Sequence, residues 1–93
     1  MSARYDTNDL GHFFRHGCEI GATHLFVLYE RTGMTNNRYD YNDCHYYVLP
    51  GEDAREVVRK RLEVSYRCPK LMEVYDLQRP MADQLGEYRV FNF

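Results

Sequence analysis

The chain has 93 residues, a formal net charge of -2 and a sequence pI near 6.0. This length leaves no room for a second core, and the charge argues against a nucleic-acid binder that relies on bulk positive charge. With 44% hydrophobic residues it is no disordered chain, and the composition excludes a collagen, a coiled coil, a membrane span and a disulfide scaffold. The unusual entry is aromatic content, 15%, from nine Tyr and five Phe with no Trp.

Asp6 and Thr7 offer helix N-caps, with Asp9 in the first turn. Leu10, Phe13, Phe14, Gly17 and Ile20 then recur at steps of three and four, which predicts an amphipathic helix over 8–21 with Gly21 as its C-cap. Thr23 to Arg31 reads as a strand, apolar on both sides in its middle, which suggests either a central strand or one with a face in an interface. Residues 32–43 are polar and turn-rich and read as a long binding loop. Cys44 to Leu49 is a second strand, closed by Pro50-Gly51. A helix over 52–65 follows, with Ala54, Val57, Val58, Arg61, Leu62 and Ser65 on its buried stripe. Leu71 to Leu77 is a third strand, entered through Cys68-Pro69. Arg79-Pro80 begins a turn or short helical turn to Gly86, and Glu87 to Phe93 is a fourth strand.

The expected fold is thus a single α+β domain over 1–93 in the order α-β-β-α-β-β. Its four-stranded, mainly antiparallel sheet carries both helices on one face. The other face would present aromatic residues such as Tyr46, Tyr75 or Tyr88, a surface suited to a partner.

Three cysteines, Cys18, Cys44 and Cys68, with no CxxC spacing, read as reduced thiols. The start lacks the apolar run of a signal peptide, and no apolar run approaches the ~20 residues that cross a bilayer. A cytoplasmic protein with no membrane association is expected. His12 and His16 share a helix face at chelating spacing, but no Glu base stands between them, so no metal and no cofactor is assigned. Cys44 and His45 are adjacent on a strand and face opposite sides, so they cannot act together as nucleophile and base. Gly51-Glu52-Asp53 opens a helix with two acids, which would repel a phosphate.

Candidate binding residues are those that mix rigid aromatics with cations. Arg31 and Arg38 bracket Tyr39 and Tyr41, with Tyr46 and Tyr47 on the strand that follows. Arg55 and Arg59 share a face of the second helix.

Several segments carry a resemblance. They are Gly21-Ala-Thr-His24, the run from Tyr39-Asp-Tyr-Asn-Asp43 to Pro50-Gly-Glu-Asp-Ala-Arg-Glu-Val57, Leu71-Met-Glu-Val-Tyr-Asp-Leu77, and a final pattern of Gln84, Leu85, Glu87, Arg89, Phe91 and Phe93. Together they resemble a group of small bacteriophage-encoded proteins of unassigned function, with Cys44-His45 standing where a plainer pair is expected. The resemblance covers most of 20–93. It implies a phage accessory product in the cytoplasm of an infected host and transfers no catalytic residue. The function expected from these readings is a non-catalytic binding protein of host takeover or counter-defence. Its partner would be a host protein or a small nucleotide ligand, and it would self-associate as a dimer or higher oligomer. The alternatives are a small hydrolase using His12, His16, Asp43, Cys44 and His45, and a minor structural phage protein.

Overall fold

The computed structural model describes residues 3–93; Met1 and Ser2, on which part of the leader reading rests, lie outside the described residues. The chain is α+β. Helix α1 spans Thr7–Glu19, strands β1 and β2 span His24–Thr35 and Arg38–Val48, and α2 spans Ala54–Leu62. A 3-10 turn at Ser65–Arg67, strand β3 at Lys70–Asp76 and a short helix α3 at Met81–Leu85 complete it.

Helix α1 starts one residue earlier than the predicted 8–21, because Asp6 rather than Thr7 is its cap, and it ends two residues earlier. Asp6 accepts from the Asp9 amide at 2.8 Å and Asp9 accepts from the Asp6 amide at 3.0 Å, a reciprocal box that satisfies two end donors. Its C-cap is Ile20 rather than the expected Gly21, which follows the cap and turns the chain left-handed at a φ of +75°. The Ala22 amide then reaches the Gly17 carbonyl (2.9 Å) and the Gly21 amide the Cys18 carbonyl (3.2 Å), the Schellman pattern. Ile20, expected on the buried stripe, lies beyond the last turn and is exposed. Gly17 is required by close approach: a Cβ there would stand 2.7 Å from the Tyr47 ring and from Leu77 Cδ1.

Among the described residues the sheet has three strands, all antiparallel, in the order β2-β1-β3, with β1 central, the first of the two readings its two-sided apolar pattern allowed. Its two faces carry separate cores. Leu25, Val27, Tyr75 and Leu77 pack with Leu10, Phe13 and Phe14 of α1. Phe26, Leu28, Val48 and Val74 pack with Ala54, Val57 and Val58 of α2. The helices therefore cover opposite faces, which corrects the expectation that both lie on one. The reason is in β1 itself: both of its side-chain rows are apolar, so each needs a cover. The aromatic face expected to stay open to a partner is covered by helix in the body of the molecule.

Two further corrections concern strands. Residues 32–43 are no loop. They extend β1 and β2 into one long hairpin, closed by Asn36 and Asn37 at φ of 52° and 62°. Positive φ at both positions is the type I′ turn, whose twist matches that of the flanking strands, and Asn tolerates it better than most residues. A bulge at Thr32, where the register shifts between Arg31 and Gly33, bends the hairpin. The fourth strand at 87–93 is reduced to one parallel bridge between Val74 and Phe91, with Val74 N–H donating to the Val90 carbonyl (2.6 Å) and Asn92 N–H to the Val74 carbonyl (2.8 Å). Helix α3 carries the chain round so that it returns parallel to β3. Buried Gln84 holds that geometry: its Oε1 accepts from the Asp76 amide (2.8 Å) and from Asn92 Nδ2 (3.0 Å), and its Nε2 donates to the Asp76 carbonyl (2.8 Å).

Helix α2 begins two residues later than predicted because Asp53 is its cap, accepting from the Arg55 amide at 3.0 Å. Glu52 instead reaches back to the Leu49 amide at 2.8 Å. No helix among the described residues is long and apolar enough to cross a membrane.

Candidate binding surface

Strand β3 pairs with β1 only as far as Tyr29, opposite Lys70. Beyond that point β1 and β2 leave the body as a two-stranded arm. Its root is tied down on one side by Asp43, which accepts from Arg4 Nε (2.9 Å) and the Tyr5 amide (2.8 Å). Arg4 also lies over the Tyr29 ring at 5.1 Å, and Tyr29 stacks on Tyr41 with centroids 5.6 Å apart. These contacts make Tyr41 part of the arm's support.

The other side of the root is built on a buried carboxylate. Glu30 is 1% exposed and accepts from the Tyr46 hydroxyl (2.7 Å) and Arg67 Nε (2.9 Å). A buried carboxylate without such partners would be costly. Tyr46 responds as expected: burial first, then its bond to Glu30, pushes its phenol up to about 12. The Cys44 thiol is also raised, by burial and then by the charge of Glu30. It is therefore held as a thiol, the inert form. The pair also anchors the 3-10 turn, because Arg67 is its last residue.

That anchorage places Tyr66 beside the arm. Arg31 Nε donates to the Tyr66 carbonyl at 2.9 Å, Nη2 bonds the same oxygen, and the guanidinium covers the Tyr39 ring at 4.3 Å. Arg31, Gly33, Met34, Tyr39 and Tyr66 line a shallow groove of about 410 Å³. Met34, Tyr39 and Tyr66 remain 59%, 55% and 70% exposed. A cation fixed among exposed aromatic and thioether groups is the composition of a protein-binding hot spot.

The α1 face holds the histidines. His45 lies flat against Phe13, centroids 3.7 Å apart, with the Tyr5 hydroxyl 3.1 Å from its Nδ1. Burial, then the charge of His16, holds its imidazole below the usual range. His12, His16 and His45 line a cleft of about 370 Å³, but no three metal-ligating groups gather at one point among the described residues. Cys18 faces the Leu77 carbonyl at 3.7 Å. Cys44 and His45 face opposite sides of the sheet, as their adjacency requires.

The eight residues singled out from the sequence therefore divide. Arg31, Tyr39 and Tyr41 come together on the arm, with Arg38 beside its turn. Tyr46 and Tyr47 go to opposite faces of the body: Tyr46 to Glu30, under Arg61 at 4.2 Å, and Tyr47 to α1, where its hydroxyl donates to the Phe13 carbonyl at 2.7 Å. Arg55 covers Phe93 at 4.5 Å, and Arg59 is clamped between Glu56 and Glu63. Those two arginines are occupied within their own neighbourhood. Met34 and Tyr66 were missed. The paired asparagines at 36 and 37, read as a hairpin turn, would have placed Met34 next to Tyr39. Set against protein-family models, curated proteins and solved structures, the chain matches none of them.

Proposed function

We propose that this chain is a non-catalytic binding protein, an accessory product of phage type acting in host takeover or counter-defence, and that the arm presents its binding surface to a host protein in the cytoplasm. One observation carries this reading. Met34, Tyr39 and Tyr66 stand exposed around an Arg31 that is already immobilised, so the side-chain entropy of the cation is spent before binding. The candidate chemical groups support it from the other side: Cys44 is held as a thiol, and His45 is stacked between neighbours. The phage origin rests on the sequence resemblance alone.

The test is a purified-component measurement. A photo-crosslinking residue at Met34 identifies the host protein held by the arm, and calorimetry with that protein then compares variants. Tyr39→Ala and Arg31→Ala should each weaken binding at least about tenfold, as truncation of a hot-spot residue does, with the far-ultraviolet spectrum unchanged. A nucleotide that raises the melting temperature by several degrees while the arm variants bind the host protein normally would replace this reading with sequestration of a small ligand. Turnover of that nucleotide would replace it with an enzyme.

A further inference from the structure

Arg31 is fixed on the arm, but its guanidinium is only partly used. Nε donates to the Tyr66 carbonyl at 2.9 Å, Nη2 bonds the same oxygen, and one face of the group lies on the Tyr39 ring. A guanidinium carries five N–H donors in one plane. The second hydrogen of Nη2 and both hydrogens of Nη1 therefore remain, and they meet no acceptor among the described residues. They form the Nη edge of the fork, a side that takes two acceptor oxygens at once.

The charge of Arg31 is open as well. It makes no ion pair among the described residues. Arg67, the other cation of the groove, is neutralised by buried Glu30. No acidic side chain lines the groove among the described residues. Arg38 and Asp40 alternate with Tyr39 in β2 and so point to the other face of the arm, where Asp40 accepts from Thr35 Oγ1 at 2.7 Å.

We propose that the arm takes its partner protein by a carboxylate, the side chain of an aspartate or glutamate that meets the open Nη edge of Arg31 with both oxygens. This rests on the reading of the arm as the binding surface and names the group that the surface selects. An apolar side chain laid over the groove would strip water from charged N–H donors and return nothing. A neutral carbonyl would accept a hydrogen but leave the charge unmatched. A lysine or arginine would bring a like charge. A phosphomonoester carries about -1.5 to -2, against the single open charge of Arg31. A carboxylate matches both the donors and the charge, and it meets a guanidinium already held in place.

The probes are capped tripeptides with aspartate, asparagine, lysine or phosphoserine between two leucines. Each is titrated into isotope-labelled protein while the Arg31 Nε–H resonance is followed by NMR. The aspartate peptide should move that resonance saturably, the asparagine peptide should bind at least about tenfold more weakly, and the lysine peptide should leave it in place. Arg31→Lys should weaken the aspartate peptide several-fold, read from the Met34 methyl, because an ammonium keeps the charge and loses the fork. Equal binding of the aspartate and asparagine peptides overturns the proposal. So does a phosphoserine peptide that binds at least about tenfold tighter than the aspartate one, which would assign the groove to a phosphate. None of this needs the host protein, so the two readings fail separately. A host protein held by the arm, with no aspartate or glutamate whose replacement weakens binding, overturns the carboxylate alone. Saturable aspartate binding with no host protein crosslinked through Met34 supports the carboxylate site and overturns the host-protein reading alone.

Discussion

Between His24 and Tyr29, β1 has a strand on either side and a helix over each face; from Arg31 to Thr35 the only strand paired with it among the described residues is β2. The same strand is thus core in one half and scaffold in the other. In the body Leu25, Phe26, Leu28 and Val74 are fully buried, and their identity is set by packing. In the arm the side chains are set free of that duty, and what remains there is Arg, Tyr and Met around a bulge. Exposed positions of the arm can therefore vary at low energetic cost, and on the proposed function they are the ones that meet a partner.

The largest effect that separates the halves comes from truncation. Phe26→Ala should destabilise by about 3–5 kcal/mol, since it leaves a cavity between the sheet and α2. Tyr39→Ala should stay within about 0.5 kcal/mol, as exposed substitutions do. Urea denaturation of the two variants checks this, and similar losses would erase the distinction between body and arm.

The junction comes next. Arg67→Ala strips buried Glu30 of its charged partner and unpins the 3-10 turn, and should cost about 3 kcal/mol. The double variant Glu30→Met, Arg67→Met should recover most of that loss, because the buried charge goes as well. A double variant as unstable as the single one would show that the pair does more than neutralise itself.

A smaller effect distinguishes the two faces of the body by pH. His45 has its folded-state value below the ordinary 6.5, so the unfolded chain binds that proton first. Its contribution is complete above about 6.5 and is lost as pH falls toward the folded-state value. The groups packed around it are Tyr5, Phe13, His16 and Tyr47. Tyr46 on the α2 face behaves oppositely: raised to about 12, it contributes below the ordinary 10.0 and the contribution is lost as pH rises through that folded-state value. Denaturation midpoints measured from pH 5 to 8 should therefore decline on the acid side, and His45→Phe should flatten that limb. An acid limb of unchanged slope in His45→Phe would place its origin elsewhere.

The smallest effect lies at the tip. Asn37→Gly should change stability by about 0.5 kcal/mol or less in the favourable direction, because glycine adopts the positive φ of that position without strain. A loss of more than that would mean the Asn37 side chain has a role beyond the turn.

Local signals in the sequence determined a good part of this protein. Asp6 as a cap and Gly21 as a left-handed turn marked the first helix to within two residues at each end, because such signals act over a few residues. The two-sided apolar rows of β1 marked it as central or as facing an interface. The spacing of Val57 and Val58 after Asp53 marked the second helix. The adjacency of Cys44 and His45 separated them, since strand neighbours point apart. Tertiary structure decided what depends on residues distant in sequence. Which face each helix covers followed from the need to bury both rows of β1. Gln84 turned an expected fourth strand into a single bridge by binding Asp76 and Asn92 at once. The bond from Arg67 to Glu30, 37 positions away, brought Tyr66 to the arm. The aromatic excess, 15% of the chain, was legible from the start. Its division between support, as in Tyr41, Tyr46 and Tyr47, and exposed surface, as in Tyr39 and Tyr66, was settled only by how the strands paired and which hydroxyls found buried acceptors.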